Sequence, residues 1–163
     1  MGRTRTQKME AVAPAVALDW PRLISIVLAA LGVLVAAYLA WAEVTGNETV
    51  CLETGAINCE TVQNSAYSVT FGIPVAVLGL VGFVGMLAIL LLEDQIPFFA
   101  TYGRTLVLAA SLFGFAFQFY LTIIEATVLE AWCQWCVASF IIVSLIFAIA
   151  VYRLYKFLQP LRV

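Results

Sequence analysis

The chain has 163 residues, of which 64% are hydrophobic and 11% charged, and its formal net charge is −2. Soluble globular domains have about 45–50% apolar and about 25% charged residues, so this composition excludes an ordinary soluble domain. It predicts an integral membrane protein with enough apolar sequence for four spans of about 20 residues each. The net charge says little about partners, and no nucleic-acid partner is expected.

The first apolar run follows a polar N-terminal segment. Residues 1–19 are expected to form a cytoplasmic tail, and the first span is predicted at about 22–42. The run from Leu23 to Trp41 is longer than the 7–15 apolar residues of a signal peptide, so we interpret it as a membrane anchor.

The loop 43–70 is the one long polar segment, and we expect it to contain a helical turn or two.

Three more spans complete the predicted architecture. They are predicted at about 71–92, 102–124 and 132–152. A second cytoplasmic tail is expected at 159–163. The second span would open at Phe71-Gly72-Ile73-Pro74, because proline is tolerated in a first helical turn. Its glycines 79, 82 and 85 predict close helix packing, with a substrate groove as the other interpretation. The fold class is therefore an all-α, four-helix transmembrane bundle, formed by a single domain over 20–158.

Basic residues fall at one predicted side of the membrane. All eight Lys and Arg lie in segments 1–22, 93–105 and 152–163, whereas 42–71 and 125–136 hold none. By the positive-inside rule both termini and the middle loop are cytoplasmic. We therefore expect a multi-pass protein of the cell membrane whose loop between spans one and two is extracytoplasmic.

Four cysteines form two pairs where apolar runs meet polar loops. Cys133 and Cys136 have the Cys-x-x-Cys spacing that closes a disulfide within one helical turn, and a helix N-terminus there would favour thiolate. Cys51 and Cys59 enclose a loop that can close a second disulfide, which would add only about 2–3 kcal/mol of stability. Both pairs are predicted on the outer side, where disulfides persist. Redox exchange is the first hypothesis.

Two other interpretations of the cysteines stay open. Four cysteines permit three pairings, and static bridges would make this a non-enzymatic tetraspan protein with structural disulfides. The second interpretation is a zinc site of four thiolates, in which Cys133 and Cys136 would supply two of the four ligands. Since the chain has no His and the predicted outer side is oxidising, no metal is expected.

Over roughly residues 20–155 the chain resembles the vitamin K epoxide reductase family of membrane thiol oxidoreductases, above all its bacterial and archaeal branch. The resemblance rests on the order of its features: four spans, Cys51-x7-Cys59 in the long outer loop, Ser65 six residues later, Phe71-Gly72-Ile73-Pro74, and Cys-x-x-Cys opening span four. In the other four-span, quinone-linked family of disulfide machinery, the Cys-x-x-Cys lies in the first outer loop, whereas here it lies in the second.

The resemblance implies an electron path through all four cysteines. Thiols of a thioredoxin-like partner would reduce Cys51–Cys59, and a transient mixed disulfide between Cys59 and Cys133 would carry the electrons to Cys133–Cys136. Cys136 would then pass them to a menaquinone- or ubiquinone-type quinone of the membrane pool. Such a protein would support disulfide formation in exported proteins.

The same resemblance implies residues near the quinone. Ser65 matches a serine close to the quinone head group, where a hydroxyl can bond a carbonyl. Ser68 and Phe140 stand where the animal enzymes have Asn and Tyr, so epoxide reduction and the animal inhibitor profile are not expected. Some bacterial relatives carry a fused thioredoxin-like domain, whereas this sequence stops at Val163. The partner is therefore expected to be a separate chain.

Overall fold

The structure is a computed structural model that describes residues 19–52, 55 and 57–159. The tails predicted at 1–19 and 159–163 lie outside the described residues, apart from Asp19 and Gln159. The elements in chain order are α1 Trp20–Thr45, α2 Cys59–Gln63, β1 Val69–Thr70, β2 Ile73–Pro74, α3 Val75–Leu92, α4 Pro97–Ile124, a π-helical turn Glu125–Leu129, and α5 Gln134–Leu158. Four helices, α4 being continued by its π-helical turn, are long and apolar enough to cross a membrane, which confirms the predicted four-helix bundle.

The four long helices pack as a closed ring. α1 lies between α3 and α5, and α4 contacts both α3 and α5. Small residues let α1 approach its neighbours: Ala29 and Ala36 are buried, and a Cβ on Gly32 would meet the ring of Phe83 on α3. The apolar core that results consists of Ala29, Ala36, Phe83, Met86, Leu90, Val107, Val143, Ile146 and Ala150.

The second membrane helix begins at Val75, four residues later than the sequence predicts. Phe71 and Gly72 have φ angles of 53° and 78°, in the left-handed region that a right-handed helix does not use. They form the turn between β1 and β2, in which Thr70 pairs with Ile73. Proline therefore ends a short hairpin as the N-cap of the helix and does not lie in its first turn.

The three glycines of α3 do not provide the close helix packing predicted for them. A Cβ at any one of Gly79, Gly82 and Gly85 would have no contact within 4 Å. They point away from neighbouring helices, and Gly79 lines a cavity. Close approach occurs instead at Gly114 of α4, where a Cβ would lie 3.1 Å from Val143 of α5.

A buried ionic cluster closes the end of the bundle where α1 and α4 begin. Glu93, only 5% exposed, accepts hydrogen bonds from Arg153 Nη2 at 2.9 and 3.0 Å. The Nε atoms of Arg22 and Arg104 lie 3.7 and 3.5 Å from the same carboxylate. Since these side chains come from all four long helices or their ends, the cluster fixes the helix ends relative to one another. The cysteines lie at the opposite end.

Candidate active site

All four cysteines lie in one cluster, where α1 ends and α5 begins. Cys51 and Cys59 are joined by a disulfide, whereas Cys133 and Cys136 are free thiols. Cys59 and Cys133 are 2% and 0% exposed, and the other member of each pair is partly exposed. In the described part of the chain no three His, Cys, Asp or Glu side chains are arranged to hold a metal ion. The fold therefore brings an oxidised pair, Cys51 and Cys59, against a reduced pair, Cys133 and Cys136. We call the first the outer pair and the second the inner pair.

A short helix places the outer pair. Asn58 caps α2 by accepting a hydrogen bond from the Thr61 N–H at 3.0 Å, so the helix begins at Cys59. Cys59 and Val62 lie three residues apart on one helical face and are both buried. This face carries the Cys59 sulfur into the cluster that contains Cys133.

The loop that carries the outer pair is hydrogen-bonded next to each of its two cysteines. Beside Cys51, the Val50 carbonyl accepts from Trp135 Nε1 at 2.9 Å, and the Val50 N–H donates to the Tyr38 hydroxyl of α1 at 2.9 Å. Beside Cys59, the Asn58 N–H donates to the Trp132 carbonyl at 3.1 Å. The outer pair is therefore held beside the start of α5.

Cys133 is the N-cap of α5, where backbone N–H groups lack partners in the helix. Its sulfur accepts the Cys136 N–H at 3.4 Å. A hydrogen bond from the Cys136 side chain lowers the pKa of the Cys133 thiol, and backbone N–H groups add to this, whereas burial and the Glu125 carboxylate oppose it. Cys133 is therefore the inner sulfur that more readily forms a thiolate.

A cavity reaches Cys136 from between the helices. It encloses about 770 Å³, a volume that includes its open mouth. Most of its wall is apolar, with side chains such as Leu39, Phe83 and Leu121. The polar side chains and the thiol that line it are Glu43, Gln63, Ser65, Tyr67, Ser68, Gln118, Glu125, Cys136 and Ser139. The cavity thus places the Cys136 thiol at the wall of a mainly apolar space.

Two of the three residues predicted near the quinone line this cavity. Ser65 donates its hydroxyl to a carbonyl of α2 at 2.7 Å, and Ser68 donates to the Ser65 carbonyl at 2.9 Å. Either hydroxyl would have to rotate before it could donate to a ligand. The ring of Phe140 stacks on Phe115, with centroids 5.6 Å apart, and Ser139 lines the cavity at this turn of α5. Quinone contact by these residues stays a prediction.

The sequence reasoning assigned no role to Glu125, a buried side chain of the site. Glu125 begins the π-helical turn, is 4% exposed and lines the cavity. Its Oε2 accepts the Cys133 N–H at 3.3 Å. The sequence carries the signal in the run LTIIEATVL, since an ionisable residue inside an apolar span is costly and is usually functional.

Comparison with known proteins agrees with this geometry. The thiol-disulfide oxidoreductase LTO1 of Arabidopsis thaliana is 34% identical over 122 residues, which cover 68% of this chain and 31% of the relative. The chain thus spans about a third of the length of that relative. The profile of the vitamin K epoxide reductase family matches residues 23–151, a range that contains all four cysteines and most of the bundle. Because the match covers well over half of the sequence, the predicted resemblance is confirmed, and the chain belongs to the vitamin K epoxide reductase family.

Proposed function

We propose that this protein is a membrane thiol:quinone oxidoreductase that oxidises a thioredoxin-like dithiol protein. The observation that carries the proposal is the junction of two cysteine pairs in one cluster, with a cavity that opens at Cys136. Membership of the family and the name of the Arabidopsis thaliana relative support the same class of reaction.

The outer disulfide is the acceptor of electrons from the partner. Cys51 is the more exposed of its two cysteines, so a partner thiolate attacks the Cys51 sulfur and the electron pair leaves with Cys59. The second thiol of the partner then displaces Cys51 and closes the partner's own disulfide. The products are an oxidised partner and a reduced Cys51 and Cys59.

The inner pair receives the electrons through Cys59. The Cys59 thiolate attacks Cys133 of the oxidised inner pair, which breaks the Cys133–Cys136 bond and releases Cys136. Cys51 next attacks Cys59, which restores the outer disulfide and frees Cys133. The state with an outer disulfide and two inner thiols, which the structure contains, is the product of this exchange.

The cavity is the site for the quinone. Its apolar wall suits a quinone head group, with the hydroxyls of Ser65 and Ser68 as polar contacts. A bound quinone takes up two electrons and two protons from the inner pair. Because Arg22, Arg104 and Arg153 lie at the other end of the bundle, the cysteines face the extracytoplasmic side, and the reaction supports disulfide formation in exported proteins.

The decisive experiment uses the purified protein with a reduced thioredoxin-like protein and a soluble ubiquinone or menaquinone analogue. We expect quinol formation, followed by absorbance, that is abolished by Cys136→Ala. Ser144→Ala, a similar truncation on the same helix outside the cluster and the cavity lining, should retain wild-type turnover. Absence of turnover by the wild-type protein with both quinone types would contradict the proposal.

A second readout separates this function from a protein with only structural disulfides. In Cys136→Ala, the Cys133 thiolate can attack Cys59 and remain joined to it, because the resolving thiol is absent. We expect peptide mapping without reductant to find a Cys59–Cys133 linkage in this variant. An unchanged Cys51–Cys59 disulfide would favour static bridges.

A further inference from the structure

Glu125 lies between the inner thiols and the cavity. Its carboxylate accepts the backbone N–H of Cys133 at 3.3 Å and lies within hydrogen-bonding reach of the Cys136 side chain. Glu125 and Cys136 also line the same cavity. One carboxyl group thus contacts both residues of the inner pair and borders the space assigned to the quinone.

The π-helical turn fixes this position. Glu125 is its first residue, and the Glu125 carbonyl accepts backbone N–H groups from Glu130 and from Ala131, the latter at 3.2 Å. π-Helical turns within α-helices are frequent at functional sites. Here the wider turn ends α4 and leaves the Glu125 side chain 4% exposed, directed at the start of α5.

Among the residues that the structure describes, no basic side chain forms an ion pair with Glu125. The sequence has no Lys or Arg between Arg104 and Arg153, and the described cavity lining contains none. The titratable groups that face Glu125 or share its cavity are Glu43 of α1, Tyr67 of the segment before β1, Cys133 and Cys136. A buried carboxylate without a cation can gain stability by taking up a proton, and thiols are the proton donors in contact with it.

We propose that Glu125 accepts the proton of the Cys136 thiol and transfers it across the cavity wall to the quinone oxygen. This inference rests on the proposed function and adds to it a residue that handles protons. The thiolate of Cys136 then lies beside a neutral carboxyl group, so the site carries one negative charge and not two.

The reaction balances with the reactants already named. Oxidation of the inner pair breaks two S–H bonds, forms the Cys133–Cys136 bond, and releases two electrons and two protons. Conversion of a quinone to its quinol consumes two electrons and two protons. Glu125 is returned to its carboxylate form at the end of each cycle.

The test compares Glu125→Gln, which keeps the size and the hydrogen-bonding oxygen but cannot accept the proton, with Glu125→Asp, which keeps the carboxylate. We expect turnover of thiols to quinol to fall about 100-fold or more in Glu125→Gln, within the range that general acid–base groups contribute. Glu125→Asp should recover at least about a tenth of wild-type turnover. Glu130→Gln, an exposed carboxylate at the end of the same turn, should remain at the wild-type level.

A measurement without quinone decides whether Glu125 acts on the thiols. In the reduced 163-residue chain, alkylation of Cys133 is followed against pH by peptide mass spectrometry. Glu125→Gln should shift the midpoint to lower pH, because a negative charge that opposes the thiolate is removed, whereas Glu125→Asp and Glu130→Gln should not. An unchanged midpoint in Glu125→Gln, or turnover within about twofold of wild type, overturns the inference. If wild type forms no quinol, the proposed function fails, and the alkylation profile still decides the inference.

Discussion

At the scale of single residues, the two members of each pair differ. Cys51 and Cys136 are partly exposed, one toward the loop surface and the other toward the cavity, whereas Cys59 and Cys133 are buried between them. In the proposed reaction, the exposed members meet the two substrates and the buried members meet each other. The proposed order of thiol exchange therefore follows this difference in burial.

The hydrogen bond from Cys136 should be visible in the pH dependence of Cys133. A thiol with a lowered pKa becomes thiolate at lower pH, so its alkylation rate rises at lower pH than that of an ordinary cysteine. Removing the donor with Cys136→Ala should move the midpoint of Cys133 alkylation to higher pH in the reduced protein. A shift to lower pH would show that burial, and not this hydrogen bond, dominates. Ser144→Ala serves as the control on the same helix.

At the scale of elements, the contact of α1 with α3 depends on one glycine. The ring of Phe83, itself 5% exposed, occupies the space where a side chain of Gly32 would lie. Phe83 also lines the cavity. The close approach of these two helices thus shapes both the core and the wall of the proposed quinone site.

Substitution of this glycine should lower stability, although alanine is the better helix former. Gly32→Ala gains about 0.8–1.0 kcal/mol of helix propensity, but overpacking costs about 1–3 kcal/mol. Gly85→Ala is the matched control, since its Cβ would meet nothing within 4 Å. Thermal unfolding in detergent should give a lower midpoint for Gly32→Ala than for Gly85→Ala. Equal midpoints would show that the Phe83 ring moves aside freely.

At the scale of the whole molecule, the two ends of the bundle have opposite characters. One end holds the buried ionic cluster around Glu93, with arginines from α1, α4 and α5. The other holds the sulfur atoms and the acidic side chains of Glu43 and Glu125. This asymmetry predicts one orientation in the membrane, with the arginines in the cytoplasm.

A membrane-impermeant maleimide tests that orientation in intact cells. After reduction, Cys51 should be labelled without permeabilisation, because it is partly exposed at the outer end. A cysteine introduced by Gln95→Cys, at an exposed position between α3 and α4, should be labelled only after the membrane is opened. The reverse pattern would show that the cysteines face the cytoplasm.

Much of this architecture could be predicted from the sequence because spans and cysteine pairs leave local signals. Apolar runs indicated the four helices, and the spacing of Cys133 and Cys136 indicated a thiol pair at a helix start. The hairpin before α3 could not be predicted from the same runs. Phe71 adopts a positive φ in its turn, and residues other than glycine rarely do so. The apolar run around Glu125 marks this residue as unusual, but its proposed role depends on a π-helical turn and on a contact with Cys133, neither of which the local sequence reveals.

The hydrogen bonds that hold Val50 and Asn58 to the start of α5 have a kinetic consequence. They fix the backbone next to both outer cysteines, independently of the disulfide between them. When the disulfide opens, Cys59 therefore keeps a high effective concentration relative to Cys133. In the proposed reaction, Cys59 therefore reaches Cys133 without a large movement of the loop.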